Sequence, residues 1–244
     1  MIPGMTAYAL ARAGRTSTLP LSEVFGPTWQ GEGPFAGRRC SFVRLGMCNL
    51  SCSWCDTPYT WDHSRYDVAA ENPVTEVEVI HRALREHDTR LVVLSGGEPL
   101  LHHQRLLPLL SDEWVWHVET NGTIAPPLWW TDRVAHSIVS PKVATDDPYK
   151  KRIKPRALRR WGDLAVQGDA SFKFVAQTAA DVATAVRLVE ECGLPRDACW
   201  VMPEGVTTDA ITTRHRDLAE SIMDAGFHTT TRLHVLLWAD ERGH

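Results

Sequence analysis

The chain has 244 residues, a formal net charge of −4, 43 % hydrophobic and 23 % charged residues. These ordinary globular values exclude disorder, collagen and a coiled coil as descriptions of the whole, and at this length ~70 % of the surface is buried on folding, so a core needs no disulfide staples. The mild acidity gives no sign of a nucleic-acid binder, no apolar run approaches the ~20 residues of a membrane helix, and MIPGMTAYALARAGRTS lacks the basic start and apolar core of a signal peptide, so a cytoplasmic protein is expected.

In chain order, Arg39 to Leu45 alternates like a half-buried strand, and Gly46 to Trp61 is a loop. Val74 to His87 has helical periodicity with Thr75 as N-cap. Leu91 to Leu94 reads as a buried strand entering Ser95-Gly96-Gly97-Glu98-Pro99, and His102 to Leu110 as a helix. Trp114 to Glu119 is a strand ending at Thr120-Asn121-Gly122, and Val134 to Val139 another, ending at Ser140-Pro141-Lys142. Residues 145–170 carry KKRIKPRALRR, which reads first as a solvated helix face. Ser171 to Ala176, Cys199 to Met202 and Leu233 to Trp238 are expected as strands, and Ala179 to Glu191 and Asp209 to Ala225 as helices. The alternation predicts an α/β fold, a parallel sheet with helical crossovers in a single domain. Its Gly-rich and polar segments then fall at the C-terminal strand ends, where such folds bind ligands.

Six cysteines stand out, three of them within eight residues as Cys48-x-x-x-Cys52-x-x-Cys55. Cys40 and Cys199 lie in apolar strand-like runs and Cys192 closes a helix, so these three read as packing. Three thiolates can hold zinc with a fourth ligand, His63 being the nearest candidate. They can also hold a [4Fe–4S] cluster with one iron left open, since such clusters ordinarily take four cysteines.

C-x-x-x-C-x-x-C resembles the signature of the radical S-adenosylmethionine (SAM) enzymes, in which the open iron chelates SAM. The Gly-Gly-Glu-Pro of Gly96 to Pro99 and the aromatic Trp54 match that superfamily. Phe25 to Gly33 (FGPTWQGEG), Gly37-Arg38, Phe42 to Arg44, Asp56-Thr57, E-T-N-G and S-P-K occur in the order seen in the 7-carboxy-7-deazaguanine synthase (QueE) family, which the chain resembles from about Leu21 onward. The resemblance implies an incomplete parallel β/α barrel of the radical SAM type over residues 21–244, with residues 1–20 an N-terminal extension. It implies conversion of 6-carboxy-5,6,7,8-tetrahydropterin to 7-carboxy-7-deazaguanine with loss of ammonia. Implied cofactors are a [4Fe–4S] cluster on Cys48, Cys52 and Cys55, SAM, and Mg²⁺ on Thr57. The SAM residues implied are Trp54, Gly97, Ser140, Pro141, Lys142 and Met202-Pro203-Glu204-Gly205, where relatives read Q-P. The substrate residues implied are Trp29 (Leu in relatives), Gln30, Gly31, Arg44, Ser95, Glu119 and the terminal carboxylate of His244. A buried salt bridge is the other reading of Glu119. A homodimer and an electron-donor protein such as a flavodoxin or ferredoxin are implied partners, with no nucleic acid and no membrane. A glycyl-radical-enzyme activase of the same superfamily is the rival activity.

Overall fold

A computed structural model of the chain describes residues 17–239 and 241–243. Its nine strands form one sheet in the order β3-β1-β2-β4-β5-β6-β7-β8-β9. These are β1 (Thr18–Trp29), β2 (Arg39–Leu45), β3 (Val74–Glu76), β4 (Leu91–Gly96), β5 (Val115–Thr120), β6 (His136–Val139), β7 (Ala170–Ala176), β8 (Cys199–Pro203) and β9 (His228–Thr229). From β2 to β9 every pairing is parallel, while β1 runs antiparallel to both β2 and β3. The sheet is open, with edges at β3 and β9. Beyond β9 the chain reaches the segment that follows β1 without a further strand: Leu233 N–H donates to the Gly31 carbonyl at 2.8 Å, and Thr230 Oγ1 donates to the Gly33 carbonyl. The result is the expected incomplete β/α barrel.

The helices are α1 (Val68–Glu71), α2 (Val77–Arg85), α3 (His103–Leu106), α4 (Tyr149–Arg152), α5 (Pro155–Gln167), α6 (Ala179–Cys192), α7 (Thr208–Asp224) and α8 (Leu233–Trp238). Local chemistry sets their starts. Pro155 stands at the first turn of α5, where its missing N–H costs nothing. Thr178 and Asp181 form a capping box on α6, and the Thr207 hydroxyl caps α7 through Ala210 N–H. The core lies between sheet and helices, and the strands divide their side chains by pleat. In β7, Phe172 and Phe174 are fully buried in the core, while Lys173 and Val175 line the cleft on the other face. Among the described residues no helix is long and apolar enough to cross a membrane.

Several sequence expectations are corrected. β1 was not foreseen, because Pro20 and the Gly26-Pro27 pair interrupt its alternation, and its pairing with β2 shifts register between Phe25 and Thr28. It begins at Thr18, so residues 18–20 of the expected extension belong to the sheet: Leu19 is fully buried opposite Thr75, and residues 1–16 lie outside the described chain. That pairing also makes Val74–Glu76 a strand, so α2 starts at Val77 rather than after a Thr75 cap. The helix expected over 102–110 is a 3-10 turn followed by the single turn His103–Leu106. Leu233–Trp238 is a helix, not a strand. A six-residue apolar run suits either, and here Val235 is buried while Leu236 and Leu237 face out, as on one turn of an amphipathic helix.

Candidate active site

A single cleft at the C-terminal strand ends gathers nearly every unusual residue of the sequence. Its lining bounds about 1270 Å³, open solvent at the mouth included. The loop after β2 brings Cys48, Cys52 and Cys55 to its wall. That loop is tied on three sides. Asn49 donates to Thr123 Oγ1 at 2.8 Å and accepts from Asn121 Nδ2 at 2.9 Å, which joins it to the end of β5. Ser51 N–H and Oγ both donate to Asp147, at 2.6 and 2.9 Å. Asp56 is ion-paired to Arg232 at the start of α8.

The donor set suits an iron–sulfur cluster with an open position. Three thiols of one loop line one cleft, while His63 is exposed and away from it, so the four-ligand zinc arrangement does not form. Among the described residues no three His, Cys, Asp or Glu converge as on a single ion. Burial pushes the Cys48 thiol up to about 12 and the Cys52 thiol upward as well, which is the burden that bound iron relieves by stabilising thiolate. Trp61 Nε1 donates to Cys55 Sγ at 3.4 Å, and Leu50 N–H to Cys48 Sγ at 3.4 Å.

Beside the thiols, β4 runs into Ser95-Gly96-Gly97-Glu98. Gly97 lines the cleft, and a Cβ there would stand 2.1 Å from the Met47 carbonyl oxygen and 2.9 Å from Cys48 N. The glycine is therefore required by two protein backbones in close approach, whatever ligand lies beyond. Glu98 is fully buried and off the cleft. Its carboxylate accepts from Leu100 N–H, Thr120 Oγ1 and Asn121 N–H at 2.7–2.9 Å, pinning the ends of β4 and β5 together. Burial raises its pKa against those bonds.

Further along, Lys142 donates to Ser140 Oγ at 3.0 Å and lies 5.5 Å from the centre of the Trp54 ring, whose Nε1 donates to the Ala144 carbonyl. On the opposite wall Glu119 accepts from Gln30 Nε2 at 3.1 Å and from Ser95 Oγ at 2.9 Å. No salt bridge holds Glu119 among the described residues. Arg44 is not a free surface arginine: its Nε donates to Glu23 at 2.6 Å, and Tyr59 and Arg242 converge on the same carboxylate. Thr57 is buried, and its side chain does not cap the turn that follows it; its hydroxyl lies 3.6 Å from Cys55 Sγ.

Three comparisons bear on this cleft. A family model described as "4Fe-4S single cluster domain" matches residues 30–123. The 7-carboxy-7-deazaguanine synthase of Halobacterium salinarum is 32 % identical, covering 94 % of both chains. That of Pyrobaculum aerophilum is 33 % identical over 93 % of this chain and 98 % of its own. The chain belongs to the 7-carboxy-7-deazaguanine synthase family. The crystal structure of QueE from Escherichia coli, at 24 % identity, covers 96 % of this chain with a TM-score of 0.66 and shows the same fold. Membership carries with it an iron–sulfur cluster and SAM as cofactors.

Of the residues expected in a family site, Trp29, Gln30, Gly31, Arg44, Ser95 and Glu119 line the cleft, as do Trp54, Gly97, Ser140, Lys142, Met202 and Glu204. Pro141, Pro203 and Gly205 do not line it, and His244 lies outside the described residues. Pro203 is spent on the β7–β8 ladder, the Gly205 carbonyl accepts from Arg232, and the Glu204 carboxylate is paired with Arg214 at 2.6 Å.

Sequence reasoning missed a buried charge network on the same wall. Glu32 accepts from Lys173 and from Arg232 Nε at 3.0 Å, Arg232 continues to Asp56, and His234 Nε2 stands 3.9 Å from Glu32. Burial alone would raise the Glu32 carboxyl; Lys173, Arg232 and His234 outweigh it and hold the group well below the usual carboxylate range. The His234 ring lies against the Gly31 backbone, where a Cβ would meet Nδ1 at 2.0 Å. One signal was visible: a lysine in the middle of the otherwise apolar SFKFVA run, which a buried strand tolerates only with a partner.

Proposed function

We propose that the chain is a radical SAM carbon–nitrogen lyase that converts 6-carboxy-5,6,7,8-tetrahydropterin to 7-carboxy-7-deazaguanine and ammonia, for 7-deazapurine biosynthesis of the queuosine type. The observation that carries this is the convergence on one cleft of the three cluster cysteines, the Trp54–Lys142–Ser140 wall and the Gln30–Ser95–Glu119 wall. The conversion is redox-neutral, since substrate equals product plus one ammonia.

When bound, the cluster and SAM supply a 5′-deoxyadenosyl radical able to take the hydrogen at C6 of the pterin and return it after ring contraction. The chain's own residues bind and orient. Cys48, Cys52 and Cys55 hold the cluster. Trp54, Gly97, Ser140, Lys142 and Met202 form the SAM side. Glu119 presents two acceptor oxygens, now taking hydrogens from Gln30 and Ser95, and these suit the paired N–H donors of a pterin edge. Glu23 takes the Nε hydrogen of Arg44, and among the described residues no bond engages its terminal nitrogens. A guanidinium fork with those nitrogens open would pair with the substrate carboxylate.

Thr57 offers a hydroxyl whose partner is the Cys55 thiol, 3.6 Å away, supporting a Mg²⁺ held jointly with substrate oxygens and water, as this hard, strongly hydrated cation prefers. The same reading includes a cytoplasmic homodimer fed by an electron-donor protein. Pro141, Pro203, Glu204 and Gly205 act through backbone position, the last three being committed to the β7–β8 ladder, Arg214 and Arg232. The rival activase reading gains nothing from the relatives, which are named 7-carboxy-7-deazaguanine synthases. The test is anaerobic turnover of the reconstituted protein with SAM, Mg²⁺, reductant and the carboxy-tetrahydropterin, with product identified by mass. The proposal requires 7-carboxy-7-deazaguanine to form. Its absence from a preparation that binds iron and SAM overturns it.

A further inference from the structure

The basic segment after β6 is left over by everything described so far. Between residues 145 and 160 the chain carries seven Lys and Arg against two Asp, in a protein of net charge −4. Lys150, Lys151, Lys154, Arg156, Arg159 and Arg160 are exposed on α4 and the first turns of α5. Of these, Lys150 and Arg156 have no side-chain partner among the described residues. Like charges gathered on one face repel one another, and the two that gain no partner in return point to a use outside the fold.

Its position supplies the use. Lys151 Nζ donates to Ser51 Oγ at 3.2 Å and to Asp147 at 2.6 Å, and Asp147 holds Ser51 by its N–H and hydroxyl. Ser51 lies between Cys48 and Cys52, so the basic segment is fastened to the cluster loop itself. The loop turns its thiols to the cleft, while Ser51 and Ser53 are exposed on its outer side. The outer side of the cluster loop therefore lies beside the basic face.

We infer that this face is the docking site of a small acidic one-electron carrier protein that reduces the cluster. The inference rests on the radical SAM reading above, since only a cluster that must be reduced needs such a partner. One electron leaves the carrier, whose centre is oxidised by one unit. The iron–sulfur group on the three thiols is reduced by one, and no bond forms or breaks. Electron transfer falls steeply with distance, and the basic face would hold an acidic carrier against the outer side of the loop while substrate occupies the cleft. Charge complementarity of this kind acts mainly on encounter and is screened by salt. Nucleic acid is the other polyanion a basic face attracts, but base stacking wants interleaved aromatics, and this segment exposes Tyr149 alone.

The test compares wild type, the double variant Lys150→Glu/Arg156→Glu, and Arg187→Glu/Arg216→Glu, an equal charge change on α6 and α7. Product formation is driven either by dithionite or by a purified, fully reduced acidic flavodoxin. Binding of the oxidised flavodoxin and of a single-stranded RNA oligonucleotide is measured by titration without turnover. The expected result is equal dithionite-driven rates in all three proteins, and flavodoxin-driven kcat/KM and flavodoxin affinity lower by roughly tenfold or more in the Lys150/Arg156 variant alone. Added salt should reduce that difference. Equal flavodoxin affinity in the three proteins overturns the inference, as does RNA binding that depends on Lys150 and Arg156 when flavodoxin binding does not. Failure of wild type to make product with dithionite counts against the proposed function, and the flavodoxin titration still decides the docking site.

Discussion

Replacing Gly97 by Ala tests how the Gly-Gly-Glu-Pro segment works. From sequence alone, a side chain here should disturb SAM and leave the iron in place. The structure moves the collision to the protein. The new Cβ would lie 2.1 Å from the Met47 oxygen, 2.5 Å from its carbonyl carbon and 2.9 Å from Cys48 N, where real Cβ contacts stop near 3.0 Å. The β4 end and the cluster loop must then part by about 1 Å, which stretches Gly97 N–H to Leu45 O (3.0 Å) and Glu98 N–H to Met47 O (2.8 Å). Leaving the buried partners of two such bonds unmet costs ~1–3 kcal/mol apiece, so about 2–6 kcal/mol is expected, a large part of a typical ~5–15 kcal/mol. For a domain of this size that lowers Tm by roughly 10 °C. Since Cys48 is on the displaced segment, iron per chain and visible absorption after anaerobic reconstitution should fall together with Tm. Wild-type iron and Tm with only SAM affinity reduced would refute the reasoning and return Gly97 to a purely ligand-facing role.

Changing Cys48, Cys52 or Cys55 singly to Ala should abolish iron binding and activity, while Cys40, Cys192 and Cys199 variants keep both; iron stoichiometry in the six proteins decides. His117 and His136 face each other across β5 and β6 with Phe35 against both rings, and burial lowers the His117 pKa to about 4. The unfolded chain then takes up a proton near pH 6.5 that the folded one refuses, so stability is full above 6.5 and is lost as pH falls toward 4. This amounts to about 2 kcal/mol between pH 7 and 5. Denaturant titration should show that loss shrinking in His117→Leu, and an unchanged pH slope would remove His117 as its source. Thr57→Ala should blunt Mg²⁺ stimulation of turnover without altering cluster absorption, and Thr57→Ser should retain most of it; an Ala variant that responds like wild type makes Thr57 a turn residue only.

What could be read from the sequence followed local rules. Strands dominated by apolar residues, such as Leu91 to Leu94 and Ser171 to Ala176, and helices with sustained periodicity, such as Ala179 to Glu191, sit where periodicity placed them. The cluster cysteines were legible because their spacing lies within one loop. β1 was not, because its evidence is tertiary: Pro20 and Pro27 read as breakers until β2 and β3 supply partners. The Leu233–Trp238 helix was missed because a six-residue apolar run does not choose between periods until Arg232 and Leu233 are anchored to Glu32 and Gly31. The Glu32–Lys173–Arg232–Asp56 network joins positions up to 200 residues apart, and no local pattern announces such pairing. Glu98 was read with a ligand motif, yet it is the peg between β4 and β5, because a carboxylate facing three donors and a carboxylate facing a ligand look alike in one dimension.

The central claim is that this cleft uses SAM as a reusable radical source on a pterin. The most direct measurement is product formed per SAM when 6-carboxy-5,6,7,8-tetrahydropterin is in large excess over SAM, under reducing anaerobic conditions with Mg²⁺. The account predicts 7-carboxy-7-deazaguanine and ammonia in equal amounts, both far exceeding the SAM supplied, with SAM recovered at the end. Product capped at one per SAM, or SAM cleaved to 5′-deoxyadenosine with no deazaguanine formed, would contradict it.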